Sequence, residues 1–204
     1  MVSIYQLKPR FQALLRPLVT RLYQRGITAN QVTLGAALGS LLIGALVSAG
    51  VEHHWLFALI PLWMFIRMAL NAIDGMLARE FGQQSKLGAY LNELCDVIAD
   101  AALFLPFALL IGVSPWIVVL VTLLAVFSEY AGVMGPMVGA SRRYDGPMGK
   151  SDRAFVFGVL AAGVASGLLP LSWIDPALLV MTALLLYTLY NRVRQGLKEL
   201  AADN

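Results

Sequence analysis

The sequence predicts an all-α integral membrane protein, with six transmembrane helices behind an N-terminal interfacial amphipathic helix and both termini in the cytoplasm. Three observations lead there. Of its 204 residues, 59% are hydrophobic and 13% charged, and the mean hydropathy is +0.73, more apolar than soluble domains are. The apolar residues form six runs long enough to cross a bilayer, parted by turn residues. Lys and Arg fall on alternate sides of those runs. Six spans of about 20 residues take roughly 120 positions, so an ion-conducting or sugar-binding ectodomain of any size is excluded and a single membrane domain over 1–204 is expected. The one cysteine, Cys95, can form no disulfide within the chain.

Residues 1–31 read as the interfacial helix. Leu7, Phe11, Leu14, Leu15, Leu18 and Leu22 recur at helical spacing, interleaved with Arg10, Arg16, Arg21 and Arg25. A signal peptide ending at Ser48-Ala49-Gly50 is the rival, but both its charged and its apolar regions are too long. The spans follow at 32–51, 55–73, 88–111, 115–135, 153–169 and 176–190, a bundle over 32–190, and each helix satisfies its own backbone in lipid. Residues 191–204 form a cytoplasmic tail. Five basic residues precede the first span (Lys8, Arg10, Arg16, Arg21, Arg25) and two lie between the second and third (Arg79, Lys86). Four separate the fourth and fifth (Arg142, Arg143, Lys150, Arg153), and three follow the sixth (Arg192, Arg194, Lys198). The opposite side has none, which independently favours an even number of spans with cytoplasmic ends. The net charge of +3 thus follows the loops and forms no face for nucleic acid; membrane lipid is the expected partner. Gly35 and Gly39, and Gly158 and Gly163, read as helix-packing positions.

Ionisable side chains at membrane depth are costly and need partners, so they are functional by default. In the second span Arg67, Asn71 and Asp74 stand at i, i+4 and i+7 and share a face. In the third, Asn92, Asp96 and Asp100 stand at i, i+4 and i+8, with Glu93 three residues before Asp96. These spans are antiparallel and joined by a short loop. A rise of about 1.5 Å per residue sets Asp96 roughly 12 Å above the start of its span, and Asp74 lies at the cytoplasmic end of the other, so both stripes meet in the cytoplasmic half of the membrane. Carboxylates gathered there need positive charge, from a pair of hard divalent cations or from Arg67. Oxygen donors without a His or Cys cluster suit magnesium, manganese or calcium better than zinc. His53 and His54 lie on the wrong side and read as solvated loop residues. The plainer account of the acids is a buried structural network, Arg67 with Asp74 or Glu129.

Read in order, residues 71–96 are NAIDGMLAREFGQQSKLGAYLNELCD. This stretch resembles the signature of the CDP-alcohol phosphotransferase (CDP-alcohol phosphatidyltransferase) family, D-x2-D-G-x2-A-R-x8-G-x3-D-x3-D. Asp74, Gly75, Ala78, Arg79, Gly88 and Asp96 match at the family's spacing. Residues 28–33, TANQVT, are similar to the T-P-N-x-x-T that opens the family's first span, with Ala29 for the proline, and Gly149-Lys150 resembles the Gly-Lys ahead of the fifth. The resemblance covers nearly the whole chain and is nearest to small bacterial members with an Asn-substituted signature. The first and third signature acids are here Asn71 and Asn92. Amide oxygens still ligate a cation, but losing two charges weakens the hold on two divalent ions. One or two magnesium or manganese ions are implied, one being the expected count, and Glu93, Asp100 or Glu129 could restore charge.

The resemblance implies a transferase of phospholipid biosynthesis. An acceptor hydroxyl attacks the lipid-side phosphorus of a CDP-linked lipid, commonly CDP-diacylglycerol, and CMP leaves. On this reading Asp74, Asn71, Asn92 and Asp96 hold the cation, with Glu93 and Asp100 in support, and Asp96 is the general base. Gly75 and Ala78 let the nucleotide lie against the helix, Gly88 lines the same substrate site, and Arg79 meets phosphate. Lys150 and Arg153 bind donor or acceptor phosphate; Arg142 and Arg143 read as topological charges, and Cys95 as packing. A homodimer in the bacterial inner membrane, its active site facing the cytoplasm, is expected. Glycerol phosphate, inositol phosphate, serine and a lipid hydroxyl are all open as acceptors. Two other classes compete: a catalytically silent relative that binds nucleotide or lipid as an assembly partner, and a small transporter with Arg67, Glu129 and Asp100 as a charge relay.

Overall fold

In a computed structural model that describes residues 4–202, with side chains over 11–201, the described residues are mostly helical and contain no strand. The helices are α1 (Ile4–Gln24), α2 (Ala29–Ala49), α3 (Leu59–Glu80), α4 (Lys86–Phe104), α5 (Pro115–Met134), α6 (Lys150–Ser166) and α7 (Ile174–Ala202). The side chains of Leu7, Lys8 and Arg10 lie outside the described residues. Two compact units are formed: one takes the residues up to Leu42 together with Leu62–Ala99, the other Ile43–Pro61 together with the residues from Asp100.

In the first unit α1 turns Leu15, Val19 and Leu22 inward. Val19 is fully buried against Ala29, Val32, Ile73, Met76 and Leu77. Leu14 and Leu18 of the same helix stay exposed. Arg16 forks onto Glu80 at 2.6 and 3.2 Å, tying α1 to the end of α3. Gly39 is one of the two predicted packing glycines of α2 that admits a neighbour: a Cβ there would sit 2.0 Å from the Trp63 ring. The Trp63 indole donates to Ser40 Oγ at 2.9 Å. Gly35 differs from expectation, since a Cβ there would meet open space.

In the second unit α5 packs along α7, and α6 packs on the turn His54–Ala58. Phe104 stacks on Phe157 with centroids 3.8 Å apart, and Phe107 meets both Phe57 and Phe157 edge-on. Gly44 brings backbones together, since a Cβ there would lie 2.1 Å from the Ala102 carbonyl oxygen. Gly163 serves the following turn, where its Cβ would strike Leu169. The carboxylate of Asp175 accepts the Ser114 N–H at 3.0 Å and the Ser114 hydroxyl, capping α5 from α7.

Among the described residues, four segments are long and apolar enough to cross a membrane: Ala29–Ala49, His54–Glu80, Pro115–Val138 and Leu171–Ala201. Helices α4 and α6 occupy the other two predicted span positions. They carry the charges, Lys86, Glu93, Asp96 and Asp100 on the one and Lys150, Asp152 and Arg153 on the other, and α6 has only 17 residues. Boundaries move for local reasons. Helix α3 runs past residue 73 because Met76, Leu77, Ala78, Arg79 and Glu80 are strong helix formers, and the turn after it uses Gly82 at φ +68°. Helix α4 gives way at Phe104 because Pro106 cannot continue it, leaving a 3₁₀ turn at Leu105–Leu109. The predicted tail has no proline, and α7 continues through it, past Gly196, to Ala202.

A large apolar surface remains outward. Leu34, Leu38 and Leu42 are exposed along α2, and Trp116, Leu123, Phe127 and Met134 along α5. A surface of this kind marks lipid contact. Trp55, Trp116 and Trp173 are each more than half exposed and all stand at the lysine- and arginine-free ends of their helices, where interfacial tryptophans gather.

Candidate active site

Three chain segments of the first unit build the site: the start of α2, the end of α3 and the start of α4. The α2 terminus is closed by a capping box. Thr28 donates its N–H to Gln31 Oε1 at 2.9 Å, and Gln31 returns its N–H to Thr28 Oγ1 at 3.3 Å. Where the family pattern has proline, Ala29 has an N–H to satisfy, and Gln83 Oε1 accepts it at 2.7 Å. Ser85 caps α4 by accepting the Gly88 N–H at 2.9 Å. A Cβ on Gly88 would lie 2.8 Å from Asn30 Oδ1, so this glycine lets the TANQVT segment approach α4.

On α3, Asp74 is buried, and its Oδ2 accepts the Thr33 hydroxyl at 2.8 Å. On α4, Asp96 is half-buried; its Oδ1 lies 3.2 Å from Arg67 Nη2, which also donates to the Asp96 carbonyl oxygen at 3.0 Å. Arg67 is itself buried. Cys95, beside Asp96, packs inside and lies within electrostatic range of both Asp74 and Asp96. Asn71, Gly75, Ala78, Gly88, Asn92 and Glu93 are half-buried, and Arg79 is exposed. The room at Gly75 is used by the chain's own Arg79: a Cβ would lie 2.8 Å from its Nη2, so the guanidinium folds back over the glycine. Thr33, Asn30 and Gln83 had no predicted role. The signal for Thr33 and Asn30 lies in TANQVT, a pattern that names no partner for each residue, whereas Gln83 lies in the turn after α3 and carries no such signal.

The predicted oxygen donors of the first unit on α3 and α4 are three carboxylates, Asp74, Glu93 and Asp96, and two amides, Asn71 and Asn92. Among the described residues no group of three or more His, Cys, Asp or Glu is arranged to hold a metal. Oxygen donors of this kind are hard and suit magnesium or manganese better than zinc.

The other predicted residues belong to the second unit. Arg153 points inward and is 1% exposed. Its Nη2 meets Glu129 Oε1 at 2.9 Å and Asp100 Oδ2 at 3.2 Å, while Nη1 reaches the Met148 carbonyl oxygen at 3.3 Å. Arg192, counted only as a topological charge, is buried beside it, 3.5 Å from Glu129 Oε2, and donates to the Ser128 carbonyl oxygen. The Asp100 carboxylate is therefore engaged by Arg153. Lys150 is half-buried at the first position of α6, whose N-terminus is closed by Asp152 accepting the Gly149 N–H at 3.0 Å. Arg142 stacks over Tyr144 at 4.9 Å. Arg143 bonds Asp145 at 2.8 Å and also Glu199, and the Asp145 carboxylate, then Glu199, raises its guanidinium above the ordinary value. His53 and His54 are exposed.

Comparisons with known proteins bear on this arrangement. The model of the CDP-alcohol phosphatidyltransferase family matches residues 26–189. The chain is 44% identical over 196 residues to the inner membrane protein YnbA of Escherichia coli (strain K12), covering 96% of this chain and 97% of that one. It is 30% identical over 162 residues to a phosphatidylinositol phosphate synthase of Streptomyces avermitilis, covering 76% of this chain and 64% of the relative. The Mycobacterium tuberculosis phosphatidylinositol phosphate synthase in complex with manganese and citrate matches at TM-score 0.70 and 20% identity, over 88% of this chain and 87% of that one. The same synthase with CDP-DAG bound matches at 0.64 and 21%, over 90% and 91%. At this identity the two structures share the fold.

Proposed function

The chain belongs to the CDP-alcohol phosphatidyltransferase family, and from that premise we propose that it moves a phosphatidyl group from CDP-diacylglycerol to an alcohol, releasing CMP. One observation carries the reading: the two retained signature acids sit on α3 and α4 of one compact unit, each held by a dedicated donor, Thr33 on Asp74 and Arg67 on Asp96. Names of relatives support it, one a phosphatidylinositol phosphate synthase bound to CDP-DAG and manganese in separate structures.

Asp96, held by Arg67, takes the proton of the acceptor hydroxyl as that oxygen bonds to the lipid-side phosphorus. The phosphorus–oxygen bond to CMP breaks, and CMP leaves with the electron pair. Thr33 fixes the Asp74 carboxylate. Arg79, lying over Gly75, meets donor phosphate as a fork. A divalent cation held by Asp74 and Asp96 with the amide oxygens of Asn71 and Asn92 would neutralise the diphosphate and favour CMP as leaving group. The exposed apolar helix faces keep the donor's acyl chains in the bilayer. Relatives named phosphatidylinositol phosphate synthases put a phosphorylated inositol first among the acceptors to try. The full reading takes six crossings, both ends and the site on the cytoplasmic side, an inner-membrane location and a homodimer.

The test is CMP release by purified protein in detergent, with CDP-diacylglycerol, manganese and a panel of alcohols. The parent should turn over, and Asp74→Asn and Asp96→Asn should each slow release on the order of a hundredfold or more. Parental rates in both variants would remove the assigned roles. Nucleotide binding without turnover would favour the silent relative, the reading that Asn71 and Asn92 support.

A further inference from the structure

We infer that residues 139–149, between α5 and α6, are a lid over the buried guanidinium groups of Arg153 and Arg192, and that Glu199 latches it shut. All the residues concerned belong to the second unit, and the lid is independent of the reaction the chain performs.

The loop lies along one face of α7, where Thr188, Arg192 and Glu199 stand at i, i+4 and i+11. Its backbone reaches both guanidinium groups. The Met148 carbonyl oxygen accepts Arg153 Nη1 at 3.3 Å. A Cβ on Gly132 would lie 2.6 Å from the Arg143 carbonyl oxygen and 3.1 Å from Arg192 Nη1, so loop backbone and guanidinium crowd the same point of α5. Between these contacts Gly146, at φ +119°, rides on α7 with no space for a side chain, since a Cβ there would lie 2.7 Å from Thr188 Cα. Two anchors hold the loop down. Thr188 Oγ1 accepts the Met148 N–H at 3.0 Å. Glu199 accepts the Ser141 N–H at 3.0 Å and the Ser141 hydroxyl at 2.9 Å, and it also holds Arg143 Nη1. Asp145 takes the other side of Arg143, at 2.8 and 3.1 Å. The latch is partly wet, with the Glu199 side chain 33% exposed, whereas those of Arg192 and Arg153 are 2% and 1% exposed. Opening therefore begins at Glu199, where water competes for the ion pair. Beneath the loop, Glu129 and Asp100 balance the two guanidinium charges. Hydrogen bonding does not balance there, because Nε of Arg153 and Nε of Arg192 have no partner among the described residues. A buried N–H left unmet is costly and hydration relieves it, so the closed state relies on the contacts that the loop itself makes.

Phenylglyoxal, an arginine reagent, tests the lid on detergent-purified protein without substrate, with modification followed residue by residue by mass spectrometry. In the parent the exposed Arg194 should react at least about tenfold faster than Arg153 and Arg192. Glu199→Ala removes the latch and should speed both buried arginines about tenfold or more, as charge-assisted hydrogen bonds are lost. Arg67, buried in the first unit, should keep its parental rate, which separates loop opening from general loosening. Gly146→Ala, which strains the middle of the loop and leaves the latch residues in place, should act in the same direction. Arg153 and Arg192 reacting in the parent as fast as Arg194, failure of either to speed up in either variant, or an equal rise at Arg67 would each overturn the lid. Glu199 lies in the last turn of α7, so Glu199→Ala remains decisive if Gly146→Ala fails to fold.

Discussion

The Thr33 hydroxyl reaches the Asp74 carboxylate at 2.8 Å, and both groups are buried. Removing the donor while keeping the shape, as in Thr33→Val, leaves a buried carboxylate short of one bond, at a cost of about 1–3 kcal/mol. Thermal unfolding in detergent should show that loss, with CMP release down roughly tenfold as Asp74 loses its fixed orientation. At this scale the sequence was legible in part. The spacing of Asp74, Gly75, Ala78, Arg79, Gly88 and Asp96 was read directly, but the purpose of the glycines was not. Gly75 makes room for Arg79 and Gly88 for Asn30, contacts that depend on rotamers and on a segment about sixty residues away.

Element boundaries followed from local chemistry once each helix end was in view. The N-terminus of α2 is the informative case. The capping box of Thr28 and Gln31 is written in T-x-x-Q, but the bond from Ala29 to Gln83 crosses 54 residues. Proline is favoured at a first helical position, where its missing N–H costs nothing. Gln83→Ala should therefore destabilise the parent by about 1 kcal/mol, by stranding the Ala29 N–H, and cost almost nothing in an Ala29→Pro background. Unfolding midpoints of the four proteins measure the coupling, and equal costs in both backgrounds would refute it. The length of α7 could not be read from hydropathy, because Arg192, Arg194 and Lys198 end an apolar run without ending a helix.

Across the whole molecule, charge distribution and burial make separate statements. Fourteen Lys and Arg residues fall between or beyond alternate apolar runs of the sequence, and Trp55, Trp116 and Trp173 are exposed near run ends that have none. Fusions of a fluorescent protein at either terminus should glow in cells, and alkaline phosphatase at either terminus should stay inactive; the reverse at one end would make the number of crossings odd. In the second unit, Arg153 and Arg192 are nearly inaccessible and share Glu129, with Asp100 on Arg153. Two acids and two guanidinium groups buried together cost far less than any one alone. A count of loop charges cannot foresee this: it places Arg153 and Arg192 at helix ends but not the direction in which their side chains turn.

Composition, periodicity and charge order along the chain were enough to determine an all-helical membrane protein and the positions of its signature groups, because those properties depend on neighbours a few residues apart. Pairing was decided by tertiary structure alone. Arg67 met Asp96, Thr33 met Asp74 and Arg153 met Glu129, since a buried charge takes whichever partner the packed helices bring within about 3 Å, and linear spacing carries no information about which helix that is.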